Sequence, residues 1–490
     1  MVDGLTLGID FGTSAVKVVA LRGDGTVAAH ASSGYETFKP APDRAEQEPE
    51  DWWRALSTAA ASVMAEIAPA SVIAAGLSGQ LNGIVLIDAD GANLGRSLIW
   101  LDQRCGDEIA ELERSHAEAL AAKVSSPTSP IAVLPKLQWL ARHEPARMQR
   151  ARHVFQVKDY ILWRLTGAVA TDANEASATL MMNLASRQWD AALVTLSGLA
   201  PGHLSPIRAS TEIVGHVTAE ASAATGLPRG LGVVPGSGDT GALGVGCGAF
   251  AAGTAAVTLG TAGHIVASVP NQPPALVPGL WRMAHVTPDR ELWLGLIPAG
   301  GLSIAWLRNL GTGFAGRPFG FDDLERLVQA TEPGSGAAVF LPFLEGAGTP
   351  WNDPSRFAAF AGLNVTHGAG HLVRAVYEGV AFNIRACLES FEVAGVGLER
   401  VHLAEGGAQS PAWCQIIADV LDREVRVVAE RDTSATGAAI LARASVEPAD
   451  LAAVVERSVR IARVHKPNPA VRDRIDLSWK RFREEAGRTN

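Results

Sequence analysis

The sequence predicts an α/β protein made of two similar lobes that face each other across a cleft. Two observations predict it. Short apolar strands alternate with amphipathic helices along the 490 residues, the order expected when helices pack on sheets. In addition, Asp10-Phe-Gly-Thr-Ser-Ala-Val-Lys-Val-Val resembles Thr258-Leu-Gly-Thr-Ala-Gly-His-Ile-Val-Ala, so that Gly12 matches Gly260 about half a chain further on. Each copy reads strand, Gly-Thr turn, strand. A match this short also arises by chance, so the paired lobes rest on both observations together.

The elements follow in order. Leu5–Asp10 is an apolar strand that ends in an acid, and Ala15–Leu21 is rich in β-branched residues. The turn Arg22-Gly-Asp-Gly25 leads into a strand at Val27–Ser33, with Asp24-Gly25 as the hairpin signal. Glu50–Ile67 has the apolar spacing of an amphipathic helix, and Val72–Gly76 and Gly83–Ile87 read as short buried strands before the turn Asp88-Ala-Asp-Gly91. The boundary between lobes falls near Pro235, dividing residues 1–236 from 237–490. The second half carries helical patterns at Leu372–Phe391, Pro411–Leu421 and Ser434–Ala444. After His465-Lys-Pro-Asn-Pro469 a charged helix runs through Trp479 to Glu485, expected to pack outside a lobe in a structural role.

Composition excludes several classes. Hydrophobic residues make up 47% and charged residues 19%, enough for buried cores and unlike a disordered or fibrous chain. The net charge of −9 is scattered, with no basic footprint for nucleic acid. The four cysteines, at 105, 247, 387 and 414, form no CxxC motif and read as buried thiols of a reducing cytoplasm. The opening MVDGLTLGIDFG lacks the basic start of a signal peptide. Residues 240–281 contain no charged side chain, yet they are Gly- and Thr-rich with few large apolar residues. They read as buried core rather than a membrane span. A cytoplasmic protein without membrane or nucleic-acid partner is expected.

Several chemical signatures are absent. There is no Gly-Lys dipeptide and hence no Walker A loop, and Gly76-Leu-Ser-Gly-Gln80 fails the GxSxG elbow at its fifth position. His367 and His371 lack the glutamate of HExxH. Gly236-Ser-Gly-Asp-Thr-Gly241 matches GxGxxG, but no acid follows Asp239 until Asp289, where a dinucleotide site wants one about 20 residues on. These glycines serve instead to present Asp239 closely to a ligand. In the two Gly-Thr turns, Asp10–Ser14 and Leu259–Ala262, backbone N–H groups and the hydroxyls of Thr13, Ser14 and Thr261 can donate to phosphate oxygens, while Gly12 and Gly260 permit close approach. Lys17 offers a cation, and Asp10, at a strand end, suits a water-ligated magnesium ion. Either turn alone is equally an ordinary hairpin. Together with Asp239 they point to a nucleotide held by neutral donors and magnesium.

These motifs, with others, resemble the FGGY carbohydrate kinases of the actin-like ATPase superfamily, and among them the xylulokinases. The resemblance covers almost the whole chain. It runs from Gly8-Ile-Asp-Phe-Gly-Thr-Ser-Ala-Val-Lys17 through Gly76-Leu-Ser-Gly-Gln80, Leu98-Ile-Trp-Leu-Asp-Gln-Arg104 and Lys158-Asp-Tyr-Ile-Leu-Trp-Arg-Leu-Thr-Gly167. It continues with Gly238-Asp-Thr-Gly241, Leu259-Gly-Thr261, Gly348-Thr-Pro-Trp-Asn-Asp-Pro354, Tyr377-Glu-Gly-Val-Ala-Phe382 and Glu405-Gly-Gly-Ala-Gln-Ser410.

The resemblance implies two ribonuclease-H-like domains with ATP, Mg2+ and sugar in the cleft between them. By position it makes Asp239 the general base and Asp10 the residue that organises magnesium. It assigns the turns around Thr13 and Thr261 to the phosphates, Gly300 and Gly301 to a loop near the nucleotide, and Gly406, Gly407 and Ala408 to the adenosine. The sugar or polyol would meet Gln80, Leu81, Asn82, Trp100, Asp102 and Thr240, although Trp100 and Asp102 are equally readable as structural. Three segments depart from the xylulokinase pattern. Gln80-Leu-Asn-Gly83 stands for Gln-Met-His-Gly, Thr240 for Asn, and Gly346-Ala-Gly-Thr-Pro350 for Gly-Glu-Arg-Thr-Pro. The expected reaction is phosphorylation of D-xylulose, with ribulose, erythritol, glycerol and gluconate as alternative substrates. The remote alternatives are a sugar-independent actin-like ATPase and a non-catalytic sugar-binding protein. A homodimer is the assembly implied by the resemblance.

Overall fold

A computed structural model describes residues 4–273 and 275–488. Leu5–Phe11 (β1), Ala15–Leu21 (β2) and Val27–Gly34 (β3) form an antiparallel meander. Pro49–Glu66 (α1) buries Trp52, Leu56, Ala60 and Val63, one stripe at helical spacing. Val72–Gly79 (β4) lies parallel to β1, and Gly232–Gly238 (β5) lies parallel to β4. A short edge strand, Gly215–His216, completes this sheet. Its central strands are covered on both faces, which is why they read as continuous apolar runs.

The second sheet repeats the first. Thr254–Leu259 (β6), Gly263–Pro270 (β7) and Arg290–Ile297 (β8) form an antiparallel meander, and Arg400–Ala404 (β9) and Val425–Val428 (β10) add parallel to β6 in turn. Within each sheet the five shared strands stand in the order third, second, first, fourth, fifth, with the same directions. This is the ribonuclease-H-like order, and the Gly-Thr repeat marks the first hairpin of each lobe. The second sheet adds edge strands at Trp281–Ala284 and Ile461–His465.

Between β4 and β5 the chain inserts a largely helical cap with its own core, including Leu112, Leu134, Leu137, Leu140 and Met181. The cap carries Val133–His143 (α2), and beside it lie Val157–Thr166 (α3) and Ala173–Ala178 (α4). The strand expected from Gly83 begins at Val85 and pairs with His153–Phe155 rather than joining the main sheet. The turn at Asn82, with φ 66°, separates it from β4.

Asp239–Gly246 (α5) and Thr433–Ala444 (α6) cross between the lobes. Their backbones touch: a Cβ on Gly437 would lie 1.9 Å from the Ala242 carbonyl oxygen, and one on Gly246 would lie 1.9 Å from that of Thr433. The helix read as part of the second half therefore packs against the first sheet as well, where a Cβ on Gly8 would lie 1.7 Å from the Ala435 oxygen. Its small residues, TSATGAAILARA, allow that approach. The terminal helix, Arg472–Gly487, buries Ile475, Trp479 and Phe482 in the core of the second lobe. All four cysteines are free and buried. Among the described residues no helix is long and apolar enough to cross a membrane.

Candidate active site

The two Gly-Thr hairpins, the N-terminus of α5 and the start of α6 converge on the cleft. Asp10 is buried near the end of β1, opposite Lys17 in register. Ser78 on β4 donates to its Oδ1 at 2.7 Å. Burial outweighs that bond and raises the Asp10 carboxyl above the usual range. Lys17 does not point its charge at Asp10 alone: its Nζ pairs with Asp432 Oδ1 at 2.8 Å, just before α6. Asp10, Lys17, Glu405, Gly406, Arg431, Asp432, Thr433 and Ser434 line a cavity of ≈ 330 Å³.

Asp239 opens α5 where β5 ends. Burial first, and the charge of Asp10 second, push its carboxyl up to about 7. The Thr240 hydroxyl donates to Asp239 Oδ1 at 3.2 Å, and the Ser434 hydroxyl donates to the Asp239 carbonyl at 3.1 Å. The base candidate is therefore tied to both helices of the crossing pair.

The first Gly-Thr turn is braced from behind. Tyr35 donates to the Gly12 carbonyl, Gln47 Nε2 donates to the Thr13 carbonyl at 2.6 Å, and Tyr35 N–H donates to the Ser14 carbonyl at 3.1 Å. Ser14 is exposed, and the Thr13 side chain accepts from Trp100 Nε1 at 3.0 Å. In the second turn, Gly301 N–H donates to the Gly260 carbonyl at 2.7 Å and Leu302 N–H donates to the Thr261 carbonyl at 3.0 Å. Gly300 and Gly301 thus stand directly on that turn. A Cβ on Gly407 would meet Leu259 at 2.6 Å, so the 406–408 turn also abuts it, and Ala408 is buried behind Gly406. Glu405 keeps φ 69°, a backbone region that favours glycine, with its carboxylate beside Gly260.

On the other side of the cleft, Gln80 Nε2 donates to Gln47 Oε1 at 2.8 Å, while Gln80 Oε1 and Asn82 Oδ1 are buried without a hydrogen-bond partner. Leu81 packs on Gly238, next to the base, where an added Cβ would sit 2.2 Å from Leu81 Cδ2. Asp102 differs from these. It is fully buried, Arg104 holds both its oxygens at 2.8 Å and 2.7 Å, and the Ala45 N–H donates to Oδ2 at 2.8 Å. Its carboxylate ties Arg104 to the backbone at Ala45.

Several residues that residue-type reasoning did not single out stand beside these positions. Lys158 Nζ sits fully buried 2.7 Å from Asp159 and 3.0 Å from Asp172, with Glu175 at 4.0 Å. Burial raises the Glu175 carboxyl well above its usual range, and it lies within electrostatic reach of Asp239. Asn174 Nδ2 donates across the cleft to the Ala284 carbonyl at 2.8 Å, and the Ala284 N–H donates to Ser177 Oγ at 3.0 Å, joining α4 to the edge strand of the second lobe. Lys158 stands in a motif that carried the resemblance, but nothing in a one-dimensional string marks a lysine as buried. For Asp432, Asn174 and Ser434 the sequence held no signal.

Comparison with known proteins agrees with this geometry. Residues 5–246 match the N-terminal domain, and residues 255–446 the C-terminal domain, of the FGGY family of carbohydrate kinases. The chain is 31% identical over 443 residues to the xylulose kinase of Escherichia coli K12, covering 90% of each chain. It is 28% identical over 445 residues to the gluconokinase of Bacillus subtilis, covering 89% of this chain and 86% of that one. The solved xylulose kinase of Rhodospirillum rubrum superposes with a TM-score of 0.90 at 31% identity, over 99% of this chain and 98% of that one. The paired lobes, the two Gly-Thr turns and these matches lead to one conclusion: the chain belongs to the FGGY family of carbohydrate kinases.

Proposed function

We propose that this kinase transfers the terminal phosphoryl group of ATP to a hydroxyl of D-xylulose, giving D-xylulose 5-phosphate, with Asp239 as general base. The observation that supports it most is the setting of Asp239. It opens a helix at the cleft end of a central strand, and burial brings its carboxyl up to about 7. A base with that pKa is matched to proton transfer near neutral pH. Asp239 takes the hydroxyl proton as the oxygen attacks, and Thr240 orients the carboxylate through Oδ1.

Phosphoryl transfer asks mainly for positioning and charge stabilisation. The backbone donors of the two turns and the cavity that Arg431 and Thr433 help to line suit the nucleotide. Asp10 fits magnesium: its buried carboxylate has one oxygen engaged by Ser78, and Lys17 gives its charge to Asp432. Among the described residues no three His, Cys, Asp or Glu side chains form a metal cage. A single carboxylate accords with an ion that keeps its waters and binds phosphate oxygens. Magnesium bound there would neutralise charge on the transferring phosphates. Closure of the lobes would exclude water and keep ATP from idle hydrolysis.

The same machinery serves another ketose, a polyol or an aldonate. The gluconokinase similarity favours keeping an aldonate in view, because Asn82 and Thr240 depart from the xylulokinase pattern where hydroxyls would be read. The test is coupled ADP release with MgATP across ketoses, polyols and aldonates. A clear preference for D-xylulose is expected. Preference for another sugar would reassign the substrate, and ADP release independent of every sugar would overturn the kinase reaction in favour of a bare ATPase.

A further inference from the structure

Lys136 is buried with no exposed surface on α2, and its ammonium makes no ion pair among the described residues. It donates instead to three main-chain carbonyls, those of Asn82 at 3.3 Å, Ile99 at 2.8 Å and Ile131 at 2.7 Å. A lone buried ammonium is expensive, and an apolar side chain would fill the space without that cost. Three charge-assisted bonds to three separate segments offset it. Two of those segments carry the residues expected to read the sugar. Asn82 forms the left-handed turn after β4, and Ile99 directly precedes Trp100.

We propose that Lys136 is a positioning residue of the sugar site, tying the turn that carries Asn82 to the segment that carries Trp100 and so setting the width of the pocket. This rests on the sugar-kinase reading above. Lys136 touches no substrate; it acts through the two carbonyls. Trp100 in turn donates to Thr13 Oγ1, while the backbone of that turn is held independently by Tyr35 and Gln47, so the clamp bears on the sugar side of the cleft. The charged and titratable groups facing the ammonium are Asp102, Arg104 and Cys105. Burial outweighs them and lowers the Lys136 pKa to about 7. Above that pH the amine has two hydrogens for three carbonyls.

The test compares K136M with the wild type in coupled ADP release, varying sugar and MgATP separately. The expected result is a sugar KM raised by ~10-fold or more, an altered sugar ranking, and an ATP KM changed less than ~2-fold. A merely structural role would move both KM values together or neither, and either result overturns the proposal. Absence of sugar-dependent turnover in the wild type would bring down the functional reading, and this inference with it. Retained wild-type turnover with an unchanged K136M sugar KM overturns this inference alone. Should K136M fail to fold, sugar binding to D239N, in which the base no longer titrates, is measured by calorimetry between pH 6 and 9. Weakening of ~3-fold or more as Lys136 loses its proton supports the clamp; a flat profile overturns it.

Discussion

The two Gly-Thr hairpins share a backbone and differ in charge. In the first lobe Asp10 faces Lys17 across the strands; in the second Thr258 faces His264. The first pair is ionisable and reaches Ser78 and Asp432. The second carries no carboxylate: the His264 backbone N–H donates to Thr258 Oγ1 at 3.2 Å, and burial lowers the imidazole pKa. The repeated fold therefore supplies two like hairpins, and at one register position only the first carries a carboxylate, the one proposed to organise magnesium. In the proposed reaction neutral donors would serve the phosphates in either hairpin, whereas a cation would need the carboxylate.

The largest effect should come from Asp239, the proposed base between the two hairpins. Asp239→Asn should lower sugar-dependent turnover by ~10²–10⁴-fold while nucleotide still binds, read by coupled ADP release and nucleotide titration. Near-normal turnover would remove Asp239 from that role. Next comes the direct contrast between hairpins. Asp10→Asn should cost about 10²-fold or more and blunt the response to magnesium, whereas Thr258→Asn should cost less than about 10-fold. Equal losses would erase the distinction drawn here.

The pH profile sharpens the same point. Protonated Asp239 cannot accept a proton, so kcat/KM should fall about tenfold per unit below about pH 7 and level off above it. For stability the sign is opposite. The folded-state pKa lies above the ordinary aspartate value, so the group's stabilising contribution is complete at low pH and is lost as pH rises through about 7. Thermal melts of wild type and D239N across this range would show whether the difference follows that direction.

Between the hairpins, Gly437→Ala should destabilise by about 1–3 kcal/mol, because the new Cβ meets the Ala242 carbonyl oxygen at 1.9 Å in a crossing that cannot open without moving Asp239. The melting temperature and kcat should fall together. The smallest effect is on specificity. Asn82→His should shift the sugar ranking by a few-fold to tenfold with ATP affinity unchanged, and an unchanged ranking would mean that this turn does not read the sugar.

The strands, the hairpin repeat and the placement of Asp10 and Asp239 at strand ends and of Thr13 and Thr261 in the two turns were legible in the sequence. Their signals are local: an apolar run, a Gly-Thr turn, an acid at a strand end. The α/β class and the doubled lobe follow from such signals because strand order within a meander is set by short connections. What tertiary structure alone decided was long-range and electrostatic. The helix at Thr433–Ala444 packs on the first sheet although it lies in the second half, because glycines at 8, 76, 246 and 437 remove side chains where backbones meet. Lys17 pairs with Asp432, and Lys136 is a buried cation held by carbonyls. A residue's type states what charge it can carry. Whether that charge is solvated, paired or sealed depends on segments far away in the chain, and only the folded protein brings those together.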